Sequence, residues 1–192
     1  MKIIYLIVKY FTVVGTFSKA FFEHLACRIS NILIEDGRYF RANEMCGHVE
    51  HEIPSTRGKS FTICFLPFLL NLIVGLVFAL TGGVNIFYLG EFFYSNGTVH
   101  LANFAFLWIG ISCLTNLFPE IEDVLALKDY IYGVKGSNMF VKIIAAPIFA
   151  ILYGGAYLEK FGITFLTAIG FTALIPTILS SFLPQLFTLI AK

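Results

Sequence analysis

The stretch from residue 60 to residue 80 reads SFTICFLPFLLNLIVGLVFAL and lies within a longer run, Phe61–Gly90, that contains no Asp, Glu, Lys or Arg. Two further runs, Phe92–Pro119 and Phe161–Ala191, also lack these residues. Each run exceeds the roughly 20 apolar residues needed to cross a hydrocarbon core about 30 Å thick. The sequence therefore predicts an all-α integral membrane protein.

The overall composition agrees with this interpretation. Of the 192 residues, 58% are hydrophobic and 13% are charged, and the mean hydropathy is +0.83. Soluble domains carry about 25% charged residues because their surfaces face water. The net charge of +1 gives no indication of a nucleic-acid partner. The four cysteines are scattered and predict no disulfide framework.

The uncharged runs, prolines and turn residues predict about five transmembrane helices in a single membrane domain, residues 1–192. The N-terminus begins like a signal peptide, but Lys9 interrupts its apolar stretch, so we interpret it as a retained first helix. The predicted segments are residues 2–30 (first helix), 31–56 (polar hairpin loop), 60–80 (second helix), 84–98 (interfacial linker), 99–118 (third helix), 119–136 (polar loop), 137–158 (fourth helix) and 161–183 (fifth helix).

The polar segment between the first two helices has the pattern of a small β-hairpin. Residues 32–34 and 48–53 flank a turn-rich middle, and in the second piece Val49, His51 and Ile53 alternate with His48, Glu50 and Glu52. Asp36-Gly37 and Ala42-Asn43 are residue pairs typical of turns. We expect this hairpin to lie at the membrane surface.

The distribution of lysine and arginine predicts the orientation. Cytoplasmic loops of membrane proteins carry an excess of these residues. We therefore expect a multi-pass protein of a prokaryotic cytoplasmic membrane, with the hairpin loop and the polar loop in the cytoplasm and the N-terminus outside. The residues behind this expectation are Arg28, Arg38, Arg41, Arg57, Lys59, Lys128 and Lys135 on one side, against Lys2 and Lys160 on the other.

Several residues that bind metals or protons gather at the predicted cytoplasmic face. Histidine, cysteine and carboxylate side chains are the ligands of zinc, so zinc is the candidate cofactor, with His24, Asp123 and Glu23 as candidate ligands. The alternative for the histidine is an ordinary hydrogen-bonded residue near the interface. Asp123 and Glu120 are equally explained as solvated loop carboxylates.

A wider polar cluster surrounds these candidates and comprises Lys19, Cys27, His48 and His51. His24 and Cys27 are three residues apart on a predicted helix and share one face. His48 and His51 are also three apart, but on a strand this spacing points them to opposite faces.

At this point the chain resembles a known family. The segments CGHVEHEIP (46–54), WIGIS (108–112) and FPEIED (118–123) are similar to those of prokaryotic membrane zincin-like proteins, relatives of the site-two-protease class of intramembrane metalloproteases. The resemblance covers roughly residues 15 to 130. It implies a His-Glu-x-x-His helix before the hairpin and an aspartate after Phe-Pro, with two histidines and the aspartate on zinc and the glutamate activating water.

The family motif is degenerate in this sequence. Aligned on Cys27-Arg28, it falls on Lys19-Ala20-Phe21-Phe22-Glu23, so a lysine replaces the first ligand and an alanine replaces the catalytic glutamate. Only Asp123 keeps its expected identity. The resemblance therefore implies no catalytic residue. Two interpretations of Lys19 stay open: its ammonium takes the place of the metal by pairing with Glu23 and Asp123, or its side chain snorkels to the membrane interface.

These observations lead to three functional hypotheses. The first is a non-catalytic, zincin-like protein that acts in the lipid bilayer by binding another membrane protein or itself. The second is a zinc-dependent intramembrane metalloprotease with atypical ligands drawn from His24, Cys27, His48 and Asp123. The third is a small transporter or channel, for which the predicted helices offer few polar residues: Asn71, Asn103, Asn116, Thr167, Thr172 and Ser180.

Overall fold

The computed structural model describes residues 2–39, 47–94, 98–133 and 138–190. Within these ranges the chain is mostly helical and contains one small antiparallel hairpin. Some residues used in the sequence predictions lie outside these ranges, namely 41–43, Cys46 and Lys135. The elements are α1 (Lys2–Phe11), α2 (Val13–Ile29), β1 (Ile34–Arg38), β2 (His48–His51), α3 (Arg57–Gly83), a π-helical segment (Val84–Tyr88), α4 (Leu101–Thr115), α5 (Ile121–Tyr132), α6 (Met139–Lys160) and α7 (Ile163–Ile190).

Two helices of the described chain are long and apolar enough to cross a membrane. One is Arg57–Tyr88, which joins α3 to the π-helical segment over 32 residues, and the other is α6 with 22 residues. The pair α1 and α2 makes a third if it counts as one broken span. α4 and the first part of α7, Ile163–Ile178, are also apolar but shorter. By length and composition, therefore, two or three helices could span a bilayer, fewer than the five that the sequence predicts.

The predicted first helix, residues 2–30, is broken rather than continuous. α1 and α2 meet at Thr12 with a bend of 90°. The hydroxyl of Thr12 donates to the Val8 carbonyl at 2.8 Å, and that of Thr16 donates to the carbonyls of Thr12 and Lys9 at 3.1 and 3.2 Å. Such side-chain bonds satisfy main-chain carbonyls where the helical ladder is interrupted.

α3 begins where the sequence provides a cap. The Thr56 hydroxyl accepts a hydrogen bond from the main-chain N–H of Lys59 at 3.4 Å, which satisfies one of the free donors at the helix start. The helix continues through Pro67 and then through the π-helical segment to Tyr88. The linker predicted at residues 84–98 therefore begins later than expected, because its first residues extend α3.

The predicted hairpin is confirmed. β1 and β2 pair antiparallel, with Gly37 opposite Val49 and Arg38 opposite His48, and a bulge interrupts the register between Ile34 and Asp36. The prediction of a turn at Asp36-Gly37 is wrong, because both residues are part of β1. Within the described ranges β1 pairs with β2 alone and is therefore an edge strand. Glycine and aspartate are tolerated in an edge strand.

Close helix approaches hold the bundle together. An added Cβ on Gly15 of α2 would stand 1.8 Å from the carbonyl oxygen of Ser112, and one on Gly110 of α4 would stand 2.2 Å from the nitrogen of Ala79 in α3. Only glycine permits these backbone contacts. They bring α2, α3 and α4 together. Buried apolar residues of α3, α5 and α6 form a second contact region nearer the hairpin: Cys64, Val124, Leu127, Ile131 and Leu152.

Candidate functional site

Four of the five buried charged residues of the described chain meet between α1, α2, α4 and α6. Lys9 is 1% exposed, and its ammonium donates to Glu159 Oε1 and to Asn116 Oδ1, both at 2.6 Å. The ring of Tyr5 lies 5.2 Å from the same ammonium. Two strong acceptors and an aromatic face thus replace the water that Lys9 loses on burial.

Lys19 shares the same carboxylate. Its ammonium lies 3.4 Å from Glu159 Oε1 and 3.7 Å from Glu120 Oε1, and the residue is 2% exposed. The second oxygen of Glu159 accepts a hydrogen bond from the main-chain N–H of Phe118 at 3.2 Å. Glu159 therefore joins two lysines to the loop between α4 and α5.

Two asparagines connect this site to α3. Asn116 donates to Thr12 Oγ1 at 2.9 Å and to the Ser112 carbonyl at 2.8 Å. Asn71 donates to the Asn116 carbonyl at 2.6 Å and accepts from the Ser18 hydroxyl at 2.8 Å. We refer to Lys9, Lys19, Asn116, Glu120 and Glu159 as the central ionic network.

The helix ends explain why cations are stable at this position. α1, α4 and α6 each end close to the network, since Lys9, Asn116 and Glu159 all lie in or directly after a last turn. The C-terminal end of a helix carries a partial negative charge that attracts cations. Three helix ends and two carboxylates thus form a cation site, and the two lysine ammoniums occupy it.

A second polar group joins the hairpin to the helices. Glu23 Oε2 accepts from the main-chain N–H of Val49 at 3.0 Å and lies 3.1 Å from His48 Nδ1. His51 Nε2 lies 3.4 Å from Asp123 Oδ1 at the start of α5. We refer to Glu23, His48, His51 and Asp123 as the histidine clasp. It ties β2 to α2 and to α5.

The carboxylates favour the protonated form of both histidines. Burial lowers the pKa of His51, but the hydrogen bond to Asp123 and its charge raise it more, so the pKa rises from 6.5 to about 9. Burial also lowers the pKa of His48, and Glu23 outweighs this effect, so the net shift is upward. His51 and Asp123 therefore act as an ion pair near neutral pH.

A cavity of about 440 Å³ lies beside the histidine clasp. It lies between the hairpin and the first turn of α5. Carboxylates and histidines dominate its lining, next to a small apolar part. The lining residues are Glu35, His48, Glu50, His51, Ile53, Pro54, Glu122, Asp123 and Ala126.

The structure separates the predicted metal ligands. His24 is half-buried, and its Nε2 accepts from the Arg28 guanidinium at 3.4 Å, whereas Asp123 pairs with His51. Cys27 is fully buried in α2. Among residues 2–39, 47–94, 98–133 and 138–190, no three His, Cys, Asp or Glu side chains are arranged to hold a metal ion. This arrangement gives little support to a metal site built from His24, Cys27, His48 and Asp123.

Three details of the predicted site need correction. Lys19 pairs with Glu159 and Glu120 rather than with Glu23 and Asp123 as expected. Glu120 is 9% exposed and is not a solvated loop carboxylate, because the loop folds it back over α2. The rings of His48 and His51 are 6.2 Å apart, so they do not point to opposite faces; His51 is the last residue of β2, where the alternation ends.

From the sequence, Glu159 was given no role, and Lys9 was used as an interruption of the apolar N-terminal stretch. Glu159 stands next to Lys160 at a helix end, which is also the pattern of an ordinary interfacial pair. Its partner Lys9 is 150 residues away in the chain. The lone lysine inside the apolar N-terminal stretch was the available signal that a buried carboxylate had to exist.

The two clusters have different chemical capacities. The central ionic network holds fixed charges that neutralise one another, while the histidine clasp holds groups able to gain or lose protons beside a cavity. Neither cluster resembles an activated nucleophile paired with a general base. No known protein family, curated protein or solved structure matches the chain.

Proposed function

We propose that this chain is a multi-pass membrane protein, zincin-like and non-catalytic, that acts by binding a membrane partner. The observation that carries the non-catalytic part is the position of Lys19. The resemblance assigns the first zinc ligand to this position, and here an ammonium lies 3.4 Å from Glu159 and 3.7 Å from Glu120. A fixed cation among these carboxylates repels a divalent metal, most strongly at low dielectric constant.

The topology that accompanies this proposal has five spans. We add α4 and α7 to the three candidate spans because both pack against α3. Leu114 of α4 and Ala168 of α7 form one buried cluster with Ala79 of α3. The hairpin then lies on the cytoplasmic side, as the lysine and arginine distribution predicts.

The binding surface that we propose lies on α6. Only 17% of its apolar window is buried within the chain. Small residues recur on it every four positions, at Ala146, Ala150 and Gly154. The two alanines are exposed, and a Cβ added to Gly154 would meet no atom within 4 Å. Small residues at this spacing let two transmembrane helices approach closely. The proposed partner is therefore a transmembrane helix, first of all α6 of a second copy of this chain.

Self-association of the purified protein in lipid nanodiscs or liposomes tests this proposal, measured by energy transfer between differently labelled chains. Gly154→Leu should weaken association at least tenfold, because its side chain would separate the helices. Gly170→Leu is the matched control, since a Cβ on Gly170 of α7 also meets no atom within 4 Å. A monomeric wild-type protein, or equal effects of the two variants, contradicts self-association through α6.

The depth of the central ionic network supports transport as a second candidate function. The ionisable groups of the network are almost fully buried beside the break between α1 and α2, where α4 and α6 end. Ionisable groups at this depth beside broken helices are typical of transporters. Proton flux into liposomes, measured with an enclosed pH dye, tests this candidate. Flux equal to that of protein-free liposomes argues against it.

A further inference from the structure

α1 lies across the junction between α6 and α7. Two of its side chains approach Gly162, where an added Cβ would meet Val8 at 3.2 Å and Ile4 at 3.4 Å. Gly162 has φ +72°, a left-handed conformation that glycine adopts without strain. The ring of Phe11 packs edge-to-face on Phe165, with centroids 5.8 Å apart. α1 therefore covers the turn that separates the two helices.

The inner side of α1 carries one polar anchor. Lys9 reaches from α1 to Glu159 at the end of α6 and to Asn116 at the end of α4. Apart from Lys2, Tyr5 and Tyr10 the rest of the helix is apolar, and its outer residues are strongly exposed. They are Ile3 (74%), Ile7 (61%) and Phe11 (62%).

The bend fixes the direction in which this apolar face points. α1 is at 90° to α2, so it runs along the plane of the bilayer if α2 runs across it. A short helix with large apolar residues on its outer side is typical of a segment that lies within a leaflet. Trp108, the sole tryptophan of the chain, is at the bend and donates through Nε1 to the Phe11 carbonyl at 2.9 Å.

We infer that α1 is a lipid-facing strap, that is, a short helix that bends away from α2 at Thr12 and covers the central ionic network. The hydrogen bonds of Lys9 to Glu159 and Asn116 hold it in place, and we call Lys9 its latch. The outer face of α1 contacts acyl chains, and its inner face covers the α6–α7 turn. The inference does not depend on which partner α6 binds.

The shared carboxylate makes the latch separable from the rest of the fold. When Lys9 loses its charge, Glu159 keeps Lys19 as a cation partner at 3.4 Å. Replacing Lys9 with the similarly sized methionine should therefore loosen α1 while the bundle remains folded. Replacing Lys19 removes a cation from the same carboxylate without touching α1, which makes Lys19→Met the matched control.

Amide hydrogen exchange in lipid nanodiscs tests the strap. In Lys9→Met, exchange in α1 should rise at least tenfold, while α3 and α4 keep the wild-type rates. In Lys19→Met, exchange in α1 should stay within twofold of wild type. Unchanged exchange in α1 of Lys9→Met, or a rise of the same size in both variants, overturns the latch.

Quenching of Trp108 fluorescence tests the lipid assignment with the same proteins. Lipids brominated on their acyl chains should quench the wild-type emission at least twofold more strongly than acrylamide in water does. Lys9→Met should change the emission because the contact between Trp108 and Phe11 loosens. Stronger quenching by acrylamide than by brominated lipid places the bend in water and overturns the inference.

Discussion

The central ionic network and the histidine clasp are both polar clusters in an apolar chain, and they are built in different ways. Lys9 and Lys19 are almost fully buried and pair with Glu159 at a point where three helices end. In the clasp only one member of each pair is buried: His48 keeps 16% of its side chain exposed and Asp123 keeps 14%, beside an open cavity, whereas Glu23 and His51 keep 3% and 5%. One cluster is closed and permanently charged. The other is reached by water and can titrate.

The difference shows how burial constrains the choice of residue. A group deep in the bundle has to keep its partners, because an unpaired charge there is strongly destabilising. Lysine stays protonated there when carboxylates surround it, whereas histidine changes its charge within a few pH units of neutrality. We therefore expect the network to govern stability and the clasp to govern how firmly the hairpin is attached.

The largest expected effect is that of Glu159→Gln. It leaves two buried ammoniums without their shared carboxylate, so the free energy of unfolding should fall by about 3–5 kcal/mol. Thermal or denaturant unfolding in detergent measures the change. Glu91→Gln, at an exposed glutamate, is the control and should shift stability by less than about 0.5 kcal/mol. Equal effects of the two variants would mean that the network does not hold the helices.

Gly15→Ala should have the next largest effect. The added methyl would meet the Ser112 carbonyl at 1.8 Å and push α2 away from α4, which moves Lys19 from its carboxylates. Overpacking of this kind destabilises by about 1–3 kcal/mol. Gly58→Ala is the matched control because nothing lies within 4 Å of its added Cβ. A destabilisation as small as that of the control would show that α2 and α4 are not in close contact.

The attachment of the hairpin should depend on pH. Because the folded pKa of His51 is raised from 6.5 to about 9, its pairing with Asp123 stabilises fully below about pH 6.5 and is lost as pH rises through 9. Amide protection of β2, corrected for intrinsic exchange, should fall about tenfold between pH 7 and 10, equivalent to about 1.4 kcal/mol. His51→Gln should remove most of this dependence, and His24→Gln should retain it. A pH-independent β2 would contradict the ion pair.

Local patterns predicted much of the fold. The uncharged runs anticipated α3, α4 and α7, the predicted fourth helix at residues 137–158 anticipated α6, and the alternation around Val49 anticipated the hairpin. These features depend on near neighbours in the chain. The bend at Thr12 was not predictable in this way, since neither proline nor glycine stands there and the bend depends on what α1 packs against.

The site was less predictable for the same physical reason. Lys9 and Glu159 are 150 residues apart, and no local pattern relates them. Glu120 looks like a loop residue until the loop folds over α2. The resemblance predicted the nearness of Asp123 and Glu23 only loosely, because it named both residues but placed the Lys19 ammonium between them rather than the hairpin histidines.

Metal analysis of the detergent-purified protein, grown with zinc and washed without chelator, tests the central claim most directly. Because the Lys19 ammonium lies among the carboxylates, we expect a zinc content far below one equivalent per chain. This zinc content should be the same in His24→Ala and Asp123→Ala. One zinc per chain that disappears in these variants would contradict the account.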